Sequence, residues 1–401
     1  MKIIDSIKII NYRSCIDTSF ELNDNLTALI GANGAGKTNI LNTFSILGSI
    51  SGERSFYRPV LEKNNIDSSI ISASIQLNNK KYDLRFEFYL DFDEYSENVR
   101  LIKLDYKRLP LPSWTVIDER DLQYANYYLT EKNNDNKEFI LSMLQGSRKL
   151  KEEKIALIDV LKEIKYFSAT KFADPSKASS SIELINVRGS STQPRTAHDK
   201  FIRELYDTYK LSSKDGIYKK YLSLVTEHGL SLIQDIDFEK ISVPSNTVKV
   251  LVGGKYQNKE ITRTVIVPRV KIDGLYLSFN QLSEGTFRTL ALVFYLLHSK
   301  ESILLLEEPE VSVHHGLLSS IIELIKIQSK DKQIIISTHS DFVLDKLKPE
   351  NIILVTKNTS GTKAEPLASS MSDDDYKYLK KYLEETGSLG EFWRVSGFDD
   401  E

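Results

Sequence analysis

The sequence predicts an α/β fold, a mixed β-sheet with flanking helices, interrupted by an inserted lobe of helices and strands. Three observations carry this expectation. Residues 26–31 form an apolar run that ends in a glycine-rich turn and continues into an amphipathic segment. Residues 302–356 alternate apolar runs with helical patterns, and the stretch between these two regions changes period several times. With 401 residues, 41% apolar and 27% charged, the chain exceeds the size of one simple core, so one elaborated domain or two lobes are expected. The same composition excludes a disordered or collagen-like chain.

Taken in order, residues 3–10 alternate as a strand, and 26–31 suit a strand buried on both faces. From Lys37, the positions Ile40, Leu41, Phe44 and Leu47 share a helical face, and Gly48 is a stop signal. Residues 69–90 alternate around Asn78-Asn79, with Tyr82, Leu84, Phe86 and Phe88 on one face, as in an antiparallel hairpin. Helical periodicity with charged surfaces fills 136–165 and 197–232, while 173–196, rich in Ser, Pro and Gly, reads as a loop. Strands return at 241–253, 261–270 and 273–279, before a helix from Glu284 to His298. Strand 302–307, helix 314–328, strand 333–337, helix 341–347 and strand 351–356 form units of a parallel sheet. The expected divisions are 1–90, an inserted mainly helical lobe at 91–240, 241–356, and a tail at 357–401. Within the tail, 376–393 reads as a helix packed back on the rest, with Phe392 and Trp393 as the alternative anchor for a partner.

Charge and cysteine content narrow the setting. The chain carries 56 acidic and 53 basic residues, a net charge of −3, so no whole-chain basic footprint marks it for nucleic acid, although a local basic face would be averaged out. The single Cys15 cannot close an intrachain disulfide, and no Cys/His cluster has zinc spacing, which points to a reducing, cytoplasmic setting. Asp5, Lys8 and Arg13 break the opening apolar stretch, and no run of eighteen uncharged apolar residues exists, so neither a signal peptide nor a membrane span is expected.

Four motifs carry chemistry. Gly31-Ala32-Asn33-Gly34-Ala35-Gly36-Lys37-Thr38 fits the phosphate-loop pattern G-x-x-x-x-G-K-[ST] in its required context, between a strand and a helix. Its glycines let backbone N–H groups close on phosphate oxygens, the helix start adds positive partial charge, Lys37 reaches the β/γ phosphates, and Thr38 ligates Mg²⁺. Ile303-Leu304-Leu305-Leu306 runs into Glu307-Glu308-Pro309-Glu310. At a strand's carboxyl end, Glu307 is placed for the Mg²⁺ shell and Glu308 for polarising an attacking water. Leu282-Ser283-Glu284-Gly285-Thr286 opens a helix, where Ser283 is either a plain N-cap or part of an anion site. Finally, Ser337-Thr338-His339-Ser340 puts a histidine at the next strand end, within reach of a γ-phosphate.

In this order the motifs resemble the P-loop NTPase heads of the ABC ATPase class, in the branch holding SMC proteins, RecF and the overcoming-lysogenization-defect (OLD) ATPases. The resemblance covers about residues 1–90 and 241–356. It implies Walker A at Gly31–Thr38, the signature at Leu282–Thr286, Walker B at Ile303–Glu308, a D-loop-like stretch at Glu310–His314, and a switch histidine at His339. ATP and Mg²⁺ are the implied cofactors. Nucleotide contacts would come from Asn33, Gly34, Ala35, Gly36, Lys37, Thr38 and Asn39, with Asn11 and Arg13 nearby on the first strand; Arg13 reads equally as a surface charge. Ser283 and Gly285 would act in trans, since in this class the signature meets nucleotide held by another subunit. A head-to-tail homodimer, or a higher homo-oligomer, is therefore implied, with Glu308 and His339 as its catalytic groups.

This chain departs from the family pattern in three places. Glu307 stands where Walker B usually has Asp, Glu284 where transporters carry glycine, and no Q-loop glutamine is evident, Gln76 being a candidate by rough location only. Residues 90–280 lack a sustained heptad, so no SMC-type coiled-coil arm is expected, and too few residues follow Thr356 for an OLD-type Toprim nuclease. The leading expectation is an ATP-hydrolysing switch that controls an effector encoded by a neighbouring gene, in anti-phage defence. Two alternatives stay open: an SMC/RecF-like repair ATPase that clamps duplex DNA, and a nucleotide-bound scaffold with little turnover.

Overall fold

A computed structural model describes residues 3–23, 25–49, 68–92, 97–131, 133–184, 196–211, 216–227, 229–250, 256–298, 302–311, 313, 315–385 and 387–396. The first half contributes strands β1 (Ile4–Tyr12), β2 (Cys15–Glu21) and β3 (Leu26–Ile30), helix α1 (Lys37–Ser49), and strands β4 (Ser69–Leu77), β5 (Lys80–Phe92), β6 (Glu97–Arg108) and β7 (Thr115–Val116). Helices α2 (Glu119–Thr130), α3 (Asn134–Met143) and α4 (Arg148–Lys162) follow, then β8 (Ile164–Ser168), β9 (Ile182–Leu184), α5 (Ala197–Lys210) and α6 (Ile217–Val225). Next come β10 (Asp235–Val250), β11 (Tyr256–Ile272), β12 (Leu275–Ser278) and α7 (Glu284–His298). The chain then runs through β13 (Ile303–Glu307), α8 (His315–Gln328), β14 (Gln333–Thr338), α9 (Asp341–Leu344), β15 (Ile352–Asn358), β16 (Gly361–Pro366), α10 (Asp373–Glu385) and α11 (Leu389–Ser396).

These elements fall into two compact units, one of Met1–Phe167, Ser299–Glu310 and Ile322–Glu401, the other of Ser168–His298 and Val311–Ile321. The first unit holds two six-stranded sheets. One runs in the order β2-β1-β4-β5-β6-β7 and is antiparallel in all its pairs. Its β4–β5 turn has Asn78 and Asn79 at φ +50° and +58°, the left-handed pair that a two-residue type I′ hairpin needs. The other runs β16-β15-β3-β14-β13-β8, with β15, β3, β14 and β13 parallel and β16 antiparallel to β15. All five residues of β3 are buried, as expected for a parallel strand covered on both faces.

One core joins the two sheets: Ile7, Ile71 and Phe86 from the antiparallel sheet pack in the same cluster as Phe44 of α1 and Leu29, Leu305 and Ile335 of the parallel one. A buried amide also links them. Gln333 Oε1 accepts from the N–H groups of Ile3 and Ile4 at 3.0 and 2.9 Å, and Nε2 donates to Ile4 O at 2.8 Å. In the second unit, β10, β11, β12 and β9 form a four-stranded sheet, and the core of α5, α6 and α7 is aromatic. Phe201 packs edge-on against Phe279, Phe287 and Phe294, and the buried Tyr221 hydroxyl donates to Leu290 O at 3.2 Å.

Several expectations need correction. The helical pattern over 136–165 is broken into α3 and α4, because Gly146 takes φ +105° and the Ser147 side chain caps α4, and its last residues belong to strand β8. Likewise 197–232 divides into α5 and α6, and 376–393 into α10 and α11. The loop read at 173–196 contains β9. The compact units divide after Phe167, His298, Glu310 and Ile321, whereas divisions after residues 90, 240 and 356 were expected. Residues 97–162 belong to the first unit, where β6 extends the antiparallel sheet.

Trp393 is buried, and α11 is tied to α9 by Gly390 N donating to Asp345 Oδ1 at 2.7 Å and by an Arg394–Asp341 ion pair at 3.0 Å. That is the packed-back reading of the tail. Phe398 to Glu401 lie outside the described residues.

Candidate nucleotide site

The phosphate loop is held from below by the β15–β16 hairpin. A Cβ on Gly31 would fall inside van der Waals contact of the Val355 carbonyl, and one on Gly36 would overlap the Thr362 side chain. Gly36 also has φ +113°, a region L side chains rarely adopt. Ala35 N donates to Ala32 O at 3.2 Å, closing the turn, and Ala32, Asn33 and Gly34 are exposed above the buried Ala35. Lys37 is buried at 6% exposure, with Nζ donating to Gly31 O at 2.6 Å and Ala32 O at 3.0 Å, which keeps the ammonium inside the loop. Thr38 is exposed in the first turn of α1, where helix N–H groups have no intrahelical partners.

A polar chain supports this loop. Arg13, at φ +52° in the β1–β2 turn, donates from Nη1 to Asn39 Oδ1 at 3.3 Å, and Asn39 Nδ2 donates to Ser14 Oγ at 2.7 Å. Thr362 Oγ1 lies 2.8 Å from Ser14 Oγ and 2.9 Å from Ala35 O. Arg13 and Asn39 are thus joined to each other beside the loop, and Ser14 and Thr362, which the sequence did not mark, complete the chain. Neighbouring Cys15 is buried, and that burial pushes its thiol pKa up. Gln76 sits exposed on β4, an outward strand position.

Strand register brings the remaining groups to the same rim. Glu307 lies opposite Ser337, Ser337 opposite Leu29, and Thr338 opposite Ile30, so the carboxyl ends of β13, β14 and β3 stand side by side. Glu308 has φ +45° although a proline follows, a strained conformation for a residue normally extended there. Its N–H donates to Ser337 O at 2.9 Å, and its Oε1 lies 3.6 Å from His339 Nδ1.

Glu310 is the next carboxylate on that rim, with a side chain only 8% exposed. Its Oε1 accepts from Thr338 Oγ1 at 2.5 Å and His339 N at 3.4 Å, and lies 3.9 Å from His339 Nδ1. Burial holds its pKa above the usual carboxylate range, against the pull of those hydrogen bonds. His314 lies outside the described residues.

Glu307 is half-buried, and its Oε2 accepts from the Tyr166 hydroxyl at 2.5 Å. Sequence reading missed Tyr166, since the helical pattern before it ran on without a break signal. In the second unit, Ser283 accepts from Thr286 N at 3.2 Å, so it does cap α7, and the exposed tip carries Glu284 beside the half-buried Gly285. Glu284 pairs with Arg288 one turn on.

A family model described as "AAA domain, putative AbiEii toxin, Type IV TA system" matches residues 26–345, well over half of the chain. The chain belongs to this AAA family. Three solved structures are similar to the AAA chain. An SMC head bound to the C-winged helix domain of ScpA is 13% identical, with a TM-score of 0.49, covering 92% of this chain and 100% of that one. The SMC head domain from Thermotoga maritima is 12% identical, with a TM-score of 0.43 and coverages of 90% and 98%. An SMC head with an extended coiled coil, bound to the C-terminal domain of ScpA derived from Pyrococcus furiosus, is 11% identical, with a TM-score of 0.42 and coverages of 95% and 99%. No curated protein matches.

The AAA rim fits the chemistry of a magnesium nucleotide. Thr38 and Glu307 offer hydroxyl and carboxylate oxygens, the hard donors that Mg²⁺ takes alongside phosphate oxygens and water. The Ser337 hydroxyl, on the residue opposite Glu307, is buried and has no hydrogen-bond partner among the described residues. Among the described residues no cluster of three His, Cys, Asp or Glu forms a closed metal site, and no helix is long and apolar enough to cross a membrane.

Proposed function

We propose that this AAA protein is an ATP-hydrolysing switch that closes as a head-to-tail dimer around ATP and controls a partner effector. The observation that carries the reading is the register of β3, β14 and β13, which gathers the phosphate loop, Glu307-Glu308 and His339 at one rim. Lys37 and the loop N–H groups bind the β/γ phosphates, and Thr38 and Glu307 hold Mg²⁺. The cation, when bound, neutralises phosphate charge. Glu308, turned out of the strand by its positive φ, accepts the hydrogen bond that aligns an attacking water. His339, beside Glu308 and Glu310, donates to the γ-phosphate. Ser283 and Gly285 of a second copy cover the same phosphate from the tip of α7. ATP therefore favours the closed dimer, and loss of the γ-phosphate releases it. The family description names a toxin of a toxin–antitoxin system, which supports an effector encoded nearby and a role in anti-phage defence.

Turnover and binding measured separately test this reading. Glu308→Gln is expected to lower ATP turnover by about a hundredfold or more while ATP affinity persists, the signature of a group needed only in the transition state. Unchanged turnover in that variant removes Glu308 from the mechanism.

A further inference from the structure

The Glu307 carboxylate differs from the usual Walker B aspartate by one methylene, and so by one extra rotatable bond between the strand and any cation it holds. A longer arm finds the metal less often unless something fixes it. In this chain the Tyr166 hydroxyl lies 2.5 Å from Glu307 Oε2, the length of a charge-assisted O–H···O⁻ bond. Tyr166 belongs to β8, the neighbour of β13 in the sheet order, and its ring packs partly buried against the core. Ile303 N donates to Glu163 O at 3.2 Å at the start of the same two strands, and three residues further along β8 and four along β13 the Tyr166 hydroxyl meets the Glu307 carboxylate. The phenol is therefore delivered by a strand, not by a loop, and its partner sits at a strand end.

We propose that Tyr166 is a positioning residue for the cation: it fixes the Glu307 carboxylate through Oε2, and so lets a glutamate serve where the shorter aspartate is usual. The inference rests on the reading of Glu307 as a magnesium ligand. Outer partners of this kind commonly change metal affinity by about 10- to 100-fold when removed. Tyr166→Phe keeps the ring and its packing and removes only the donor.

The test uses the full chain with Mn²⁺ as a spectroscopic probe, titrated by electron paramagnetic resonance with the non-hydrolysable nucleotide AMP-PNP. Nucleotide affinity is measured in parallel without metal. Tyr166→Phe is expected to weaken Mn²⁺ binding about tenfold and to leave metal-free nucleotide affinity unchanged. In a Glu307→Asp background, whose shorter arm has no phenol to lean on, the same change is expected to have no further effect; a purely structural tyrosine would weaken both backgrounds alike. Mn²⁺ affinity equal to wild type in Tyr166→Phe overturns the proposal, provided Glu307→Gln still loses the ion. If Glu307→Gln also binds Mn²⁺ normally, the metal-ligand reading itself falls.

Discussion

Glu308 shows how this rim is built at the scale of single residues. Its positive φ before Pro309 is an unfavourable conformation retained at the position where chemistry is proposed. Gly36 makes the complementary demand, for absence of a side chain. Gly36→Ala would push against Thr362 and impose strain of about 1–3 kcal/mol, so ATP affinity should fall about 5- to 150-fold; isothermal titration checks it, and an unchanged affinity would mean the loop relaxes freely. Glu310 is expected to carry a pH dependence of its own.

Because burial raises its folded pKa, the folded chain holds the Glu310 proton more tightly than the unfolded chain does. The associated stability is complete below the ordinary value of 4.5 and is lost as pH rises through the raised folded value. Thermal midpoints of the nucleotide-free protein should therefore decline over that interval in wild type relative to Glu310→Gln. Parallel curves for the two proteins would mean that Glu310 does not titrate differently on folding.

At the scale of elements, Gln333 links two sheets through one amide. Gln333→Leu strands two buried N–H groups and a carbonyl, and should lower stability by about 2–4 kcal/mol, read as a drop in the urea or thermal midpoint. A shift below about 0.5 kcal/mol would assign the joint to apolar packing alone. No sequence signal marked this residue, because its partners Ile3 and Ile4 lie 330 and 329 positions away.

The same physics divides what was legible from what was not. The strand, glycine turn and helix at Leu26–Ser49, the Asn78-Asn79 hairpin and the bounds of α7 are written in local periodicity and local turn chemistry. Thr362 under the phosphate loop pairs with Ser14 across 348 positions, and Tyr166 meets Glu307 across 141, relations that no local period encodes. The break between α3 and α4 was not legible in the helical pattern: α3 ends at Met143 with Leu144 extended, Gly146 turns at φ +105°, and Ser147 caps the next helix.

At the scale of the molecule, the phosphate loop and the α7 tip fall in different compact units of one chain, and the proposed mechanism brings the tip of one copy to the loop of another. Glu308→Gln should therefore accumulate as a dimer with ATP and return to monomer with ADP, as light scattering coupled to gel filtration can follow. A monomer in both nucleotides would oppose the switch.

The most direct measurement mixes two inactive variants, Lys37→Ala and Ser283→Arg. Each lacks one half of every site when alone, but a mixed dimer keeps one loop and one serine tip that face each other. Turnover should reappear on mixing, at about a quarter of the wild-type rate if half the dimers are mixed and each has one intact site. A mixture that stays inactive although mixed dimers form would contradict a site completed by a second copy.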